Sequence, residues 1–259
     1  MKASKSKQRK FYDNRYSSLQ RALHKLSSLP FVFYDKRLIE MILEAPNNEN
    51  VDTILEVGSG QGTDAILISK NVRCVIAIDI SYNALKVAKI LSQMKTDREN
   101  ISFVVGDAEH LPFKEDVFDV VYCKDLLHHV SDSMLTVLEM KRVTRQGGSL
   151  IAIEANACNP QMIIIGLMYF SVDKGVFKNT KIKLATLFLK AGLSSVTVIE
   201  TEFLPRHILF EYRSPLNRIF NINSSVFLRV LERIEYHLQK RTILRKFLNY
   251  LIIKGVKIK

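Results

Sequence analysis

The stretch ILEVGSGQGTDAILI, residues 54–68, runs from apolar residues through glycines at 58, 60 and 62 into a second apolar run. Glycines at alternate positions let a backbone turn sharply and approach a ligand closely. A dinucleotide site calls for GxGxxG, but Thr63 stands where the third glycine belongs. A phosphate loop ends in Gly-Lys-Ser/Thr, and that ending is absent here. Glu56, two residues before Gly58, weakens both phosphate readings further. A carboxylate below the loop repels pyrophosphate and suits an amino group or a sulfonium, or else anchors the loop by hydrogen bonds.

Two more acids fall at intervals that suggest a nucleoside. Asp79 closes the apolar run VRCVIAID (72–79), 17 residues past Gly62. A carboxylate there can accept both hydroxyls of a ribose, whatever else the ligand carries. Asp107 closes ISFVVGD (101–107) and is followed by Ala108. A carboxylate beside a free backbone N–H matches the exocyclic amine and ring nitrogen of adenine. His128 and His129, in CKDLLHHV (123–130), are the side chains best suited to take a proton near neutral pH. Asp125 is a weaker candidate with helix capping as its alternative. Glu154, Asn156 and Asn159, and further on His207 and Glu211, could touch a substrate. No His/Cys/Asp cluster has the spacing of a metal site.

These residues need a scaffold that gathers strand ends on one edge. TILEV (53–57), VRCVIAID (72–79), ISFVVGD (101–107), VFDVVYC (117–123) and SLIAIEA (149–155) read as strands. Helices at 64–71, 81–95 and 132–144 alternate with them. Ser81 and Asp132 are N-cap candidates, Gly147-Gly148 is a stop signal, and Leu85, Ala88, Leu91 and Ser92 share one helix face. This alternation predicts an α/β fold with a doubly wound, mostly parallel sheet. A helix near 181–191, a strand at 195–203, a helical basic stretch over 205–248 and a last strand, YLIIKGVKI (250–258), follow. The chain divides into an N-terminal helical cap segment (1–46), a core (47–204), and a basic helical insertion with the last strand (205–259).

LEVGSGQG, AIDIS, VVGDAEHLPFKEDVFDVVYC and RVTRQGGSLIAIE together resemble the class I S-adenosylmethionine-dependent methyltransferases. Within that class they are most similar to the broad type 11 group, which includes quinone C-methyltransferases. The resemblance covers roughly residues 50–155. It implies a seven-stranded Rossmann-like methyltransferase sheet whose last strand, here YLIIKGVKI, runs antiparallel between the fifth and sixth. It implies S-adenosylmethionine as cofactor, with the glycines admitting its methionine portion. Glu56, Gly58 and Gly60 would line that end, Asp79 would hold the ribose, Asp107 and Ala108 the adenine, and Ser59 and Ile80 would also contact the cofactor. Lys124 falls where the family's loop contacts the cofactor. The family's Leu-x-Pro-Gly-Gly turn is VTRQGG here, with Gln146 in the proline position. FYDNRY (11–16) resembles the start of a helix folding over the cofactor, although amphipathic packing also accounts for Tyr12 and Tyr16. Methyl transfer from a sulfonium is an in-line displacement that needs a base only when the acceptor arrives protonated. The resemblance places His129 ahead of His128 as that base.

Charge and hydropathy then bear on the partner. Residues 1–37 carry 10 Lys/Arg against 2 Asp/Glu, residues 38–204 carry 16 against 21, and residues 205–259 carry 12 against 3. A mildly acidic centre lies between two basic ends, which suits an anionic partner as well as it suits solvated helix faces. MIIIGLMYFSV (162–172) is too short to span a bilayer and suits a greasy wall or a membrane face. SVFLRVLERIEYHLQKRTILRKFLNYL (225–251) spaces Phe227, Val230, Leu231, Ile234 and Leu238 helically. Arg229, Arg233, Lys240, Arg241, Arg245 and Lys246 are interleaved among them, a pattern that suits a helix lying on an acidic membrane and equally one that packs its apolar face on the sheet with the arginines solvated. An Asn/Asp-Pro-Pro-aromatic sequence, the mark of base methylation, is replaced by KDLLHH, and no RNA-binding signature is present. A small lipid-like acceptor is therefore favoured over nucleic acid. A non-catalytic scaffold is the remaining alternative, against which Glu56, Asp79 and Asp107 all argue. Cys74, Cys123 and Cys158 lack CxxC spacing, and no apolar stretch follows the basic start, so the reading is cytoplasmic, with peripheral membrane contact.

Overall fold

The computed structural model describes residues 5–15, 17–27, 29–44, 51–97, 99–160, 179–202, 224–240 and 248–258. Three helices open it: α1 (Lys5–Arg15), α2 (Leu19–Ser27) and α3 (Leu29–Leu43). The sheet region runs β1 (Thr53–Val57), α4 (Thr63–Ile68), β2 (Cys74–Asp79), α5 (Tyr82–Lys95), β3 (Ile101–Val105), β4 (Phe118–Lys124), α6 (Ser133–Val143) and β5 (Thr144–Ala155). It continues with α7 (Lys181–Lys190), β6 (Ser194–Thr201), α8 (Ser225–Lys240) and β7 (Tyr250–Val256).

The seven strands lie in the order β3-β2-β1-β4-β5-β7-β6. β1 to β5 pair in parallel, and β7 runs antiparallel to both β5 and β6. The antiparallel seventh strand thus takes the slot expected for it. Strand order reverses between β1 and β4, so a crevice opens at their C-terminal ends, where open α/β sheets bind ligands.

Alternate strand residues serve opposite faces, as the period of two requires. Leu55, Val121, Cys123, Leu150, Ala152, Leu251 and Ile253 pack against Val137 and Met140 of α6 and Leu184 and Phe188 of α7. Ile54, Val120, Tyr122, Ile151, Ile153 and Ile252 pack against Leu38, Ile39 and Ile42 of α3 and Ala65 and Ile68 of α4. Burial on both faces explains why these strands read as continuous apolar runs.

The caps form as anticipated. Ser81 accepts from Ala84 N–H, and Asp132 from Met134 and Leu135 N–H. The VTRQGG turn needs its glycines for different reasons. Gly147 has φ of 76°. A Cβ at Gly148 would lie 2.8 Å from the Asp119 carbonyl and 2.9 Å from that of Arg145. The segment enters β5 through a bulge against β4 and not through a free turn, so proline is dispensable.

The apolar face expected of α8 divides. Leu231 is buried, Phe227 and Leu238 are half-buried, and Val230 and Ile234 face solvent with Val226. The apolar insertion 162–172, Tyr16, His207, Glu211, Arg241, Arg245 and Lys246 lie outside the described residues. Among the described residues no helix is long and apolar enough to cross a membrane.

Candidate active site

The glycine loop is a fixed cradle. Gly58, Gly60 and Gly62 have φ of 76°, 53° and 64°, a region that side chains rarely adopt. Gly58 and Ser59 donate to the Ile78 carbonyl at 2.8 and 3.1 Å, which ties the loop to the tip of β2. A Cβ at Gly62 would meet Phe103 at 2.9 Å and Ala88 at 3.0 Å. Gly62 therefore provides the close helix packing that the third glycine of a dinucleotide motif provides one position later.

Asp79 closes the cradle. One of its oxygens accepts from Gly60 N–H at 2.7 Å and the other from Ser81 N–H at 2.8 Å. Burial raises its pKa, and those N–H donors only partly offset this. Each carboxylate oxygen has two acceptor positions, so both keep one for a ligand hydroxyl. Ile80 is half-buried beside it.

Glu56 is 4% exposed, and its Oε2 has no hydrogen-bond partner among the described residues. Burial, and then the neighbouring Asp64, push its carboxyl well above the usual range. A buried acid of this kind gains from a positively charged group brought close to it. Lys124 does not stand free for that loop: its Nζ donates to Asp64 Oδ2 at 2.8 Å and to Asp35 at 3.4 Å.

Asp107 already has a cation beside it. Its Oδ2 lies 2.5 Å from Lys5 Nζ, which also reaches Glu109 at 2.8 Å. Burial raises the Asp107 carboxyl, but Lys5 and the Glu109 N–H outweigh that and hold it low. Ala108 beside it is half-buried. α1 touches the same edge twice more. Ser81 Oγ donates to Asp13 at 2.5 Å, and the Tyr12 ring sits 5.2 Å from that of His129. The first helix thus lies across Asp107, Ser81 and His129 together.

His128 and His129 come together after β4, with ring centroids 3.8 Å apart. The loop that carries them packs on the cradle, since a Cβ at Gly58 would fall 2.8 Å from Leu126 Cδ1. His128 Nδ1 lies 2.6 Å from Oε2 of Glu154, which is fully buried. Tyr250 OH donates to Asp125 at 3.3 Å. Asn156 and Asn159 are stapled to the start of β7, through the Leu248 carbonyl and Asn249 Oδ1. Sequence reasoning missed the ties of Asp79, Lys5 and Glu154. Only for Glu154 was there a signal, an acid closing a buried strand.

The family model described as "Methyltransferase domain" matches residues 55–152. Residues 55–152 therefore form a methyltransferase domain. Curated relatives of this domain include the "Uncharacterized methyltransferase YcgJ" of Bacillus subtilis, 36% identical over 39% of this chain and 40% of the relative. The "Demethylmenaquinone methyltransferase" of Staphylococcus aureus (strain MRSA252) is 35% identical over 44% of this chain and 47% of the relative. The chain spans under half the length of each of these two relatives. The crystal structure of YcgJ aligns with TM-score 0.63 at 24% identity, over 88% of this chain and 99% of that one. Haemonchus contortus phosphoethanolamine N-methyltransferase 2, in complex with S-adenosyl-L-methionine, aligns with TM-score 0.63 at 20% identity, over 86% of this chain and 53% of that one. The last two likenesses show that the methyltransferase domain has the fold of these proteins.

Proposed function

We propose that this chain transfers a methyl group from S-adenosylmethionine to a small, apolar, lipid-linked acceptor. The observation that carries the reading is the left-handed glycine cradle set between two acids, buried Glu56 and half-buried Asp79. Its residues fit the cofactor. Glu56 Oε2, without a hydrogen-bond partner among the described residues, suits a cationic end, and Asp79 has spare acceptor positions for ribose. Gly58, Ser59, Gly60 and Ile80 shape the cradle, and Asp107 with Ala108 receives adenine once Lys5 withdraws. When bound, the cofactor supplies an electrophilic methyl group on a good leaving group. The chain's task is then to align the acceptor, exclude water, and take a proton where the acceptor carries one. His128 and His129 stand at the same edge for that last task.

The acceptor class rests on the relatives named for demethylmenaquinone and on α8. That helix exposes Val226, Val230, Ile234 and Tyr236, with Arg229 and Arg233 also solvent-facing. Such a face suits an acidic bilayer, where each interfacial Lys/Arg adds about 1 kcal/mol. Calorimetry with S-adenosylmethionine tests the cofactor, and absence of binding ends the reading. Transfer of labelled methyl to a demethylated naphthoquinol in acidic vesicles tests the acceptor. Cofactor binding with no transfer to that quinol would remove the quinone class and keep the methyltransferase.

A further inference from the structure

We infer that Glu154 is the positioning residue for proton transfer: it holds His128 as the Nδ1–H tautomer and leaves Nε2 as the basic nitrogen. This rests on the methyltransferase reading above and adds the identity and orientation of its base. Four donors converge on the Glu154 carboxylate. Oε1 accepts from Leu126 N–H at 2.9 Å and Leu127 N–H at 2.6 Å. Oε2 accepts from Asn179 Nδ2 at 2.8 Å and meets His128 Nδ1 at 2.6 Å. Backbone and carboxamide N–H groups keep their hydrogens, so the carboxylate is an acceptor on both oxygens. The hydrogen of the His128 contact is thereby assigned to Nδ1, from the network.

The same carboxylate sets the ring's location. Asp125, at φ of 52°, turns the chain out of β4, and the next two amides close on Glu154. His128 follows at once, with its ring against His129, which also meets Tyr12 of α1. Glu154 therefore fixes loop, ring and tautomer from one fully buried position at the end of β5. An acceptor that gains a methyl group loses one proton. The acceptor keeps the electron pair of its broken O–H or C–H bond, and the Nε2 lone pair takes the proton. The positive charge then on the imidazole faces the Glu154 carboxylate, the role a buried acid plays behind a catalytic histidine.

The test needs no methyl acceptor. The full chain is labelled with ¹⁵N-histidine, His128 is assigned with His128→Gln, and ring tautomers are read above the histidine titration range. Wild type should show His128 protonated on Nδ1, and S-adenosylhomocysteine should shift its ring signals. In Glu154→Gln the carboxamide donates to Nδ1 and the proton should move to Nε2. S-adenosylhomocysteine affinity, measured on the same sample, should stay within about twofold, since the isosteric carboxamide keeps one oxygen to accept from Leu126 and Leu127 N–H and so keeps the loop on the cradle. An Nε2–H tautomer in wild type overturns the inference. So does a tautomer that Glu154→Gln leaves unchanged, or ring signals indifferent to bound S-adenosylhomocysteine. Failure of wild type to bind that ligand at all overturns the methyltransferase reading instead, and the inference with it.

Discussion

Asp79→Asn separates two duties of one carboxylate. Its oxygens hold Gly60 and Ser81 N–H at 2.7 and 2.8 Å, yet burial outweighs those bonds and raises the carboxyl. A raised folded-state pKa means that this group's stabilisation is complete below the ordinary carboxylate value of about 3.9 and is lost as pH rises through the folded value. At neutral pH the charge is already unfavourable to folding; the neutral amide relieves that but turns its NH2 toward one of the two N–H donors, so the opposed effects should leave stability changed by no more than about 1 kcal/mol. For a chain of this size that is about 2–4 °C in melting temperature. Ligand affinity should behave differently. Each charge-assisted bond from a ribose hydroxyl contributes about 1.5–3 kcal/mol, or about 10- to 160-fold in Kd. Calorimetry with S-adenosylhomocysteine and thermal melting of the unliganded chain read the two effects separately. An unchanged Kd would place the ribose elsewhere. A fall in melting temperature of more than about 10 °C would show that the two loop bonds outweigh burial, reversing the energetic argument.

Three further outcomes are expected. Gly58→Val forces a β-branched residue to φ of 76° against Leu126, so it should cost at least about 1–2 kcal/mol of stability and abolish measurable cofactor binding by calorimetry. Gly148→Ala brings its new Cβ within 2.9 Å of two backbone carbonyls and of the Cγ2 of buried Thr144. Its urea midpoint should fall by the equivalent of about 1–3 kcal/mol. Lys5→Met removes a half-exposed ion pair, a contact class that contributes at most about 1 kcal/mol, so S-adenosylhomocysteine should bind up to about fivefold more tightly by calorimetry.

What the sequence disclosed and what it hid divide along chain separation. The parallel strands, the Ser81 and Asp132 caps and the glycine loop are local patterns of period two, capping spacing and backbone need, and each appears where it was read. The antiparallel seventh strand came from family resemblance, because YLIIKGVKI alone carries no sign of direction. The ties of Lys5 to Asp107 and of Lys124 to Asp35 join residues 102 and 89 positions apart, and no spacing rule reaches that far. Glu154 was read as a substrate contact because its position at a strand end was visible while its four donors were not. α8 shows the remaining difficulty. Helical periodicity gathers Phe227, Val230, Leu231, Ile234 and Leu238, but the direction of the packing partner decides which of them are covered.

α1 is fastened at three places along one edge, through Lys5, Tyr12 and Asp13. A ligand that claims the Asp107 oxygen must first break one of these fastenings, and linkage makes the cost mutual. Whatever loosens the helix then aids the ligand, and whatever enters loosens the helix. The first fifteen residues become a reporter of occupancy: a protease that cuts at their lysines and arginines should digest the loaded chain faster than the empty one, reversing the protection that bound ligands ordinarily confer.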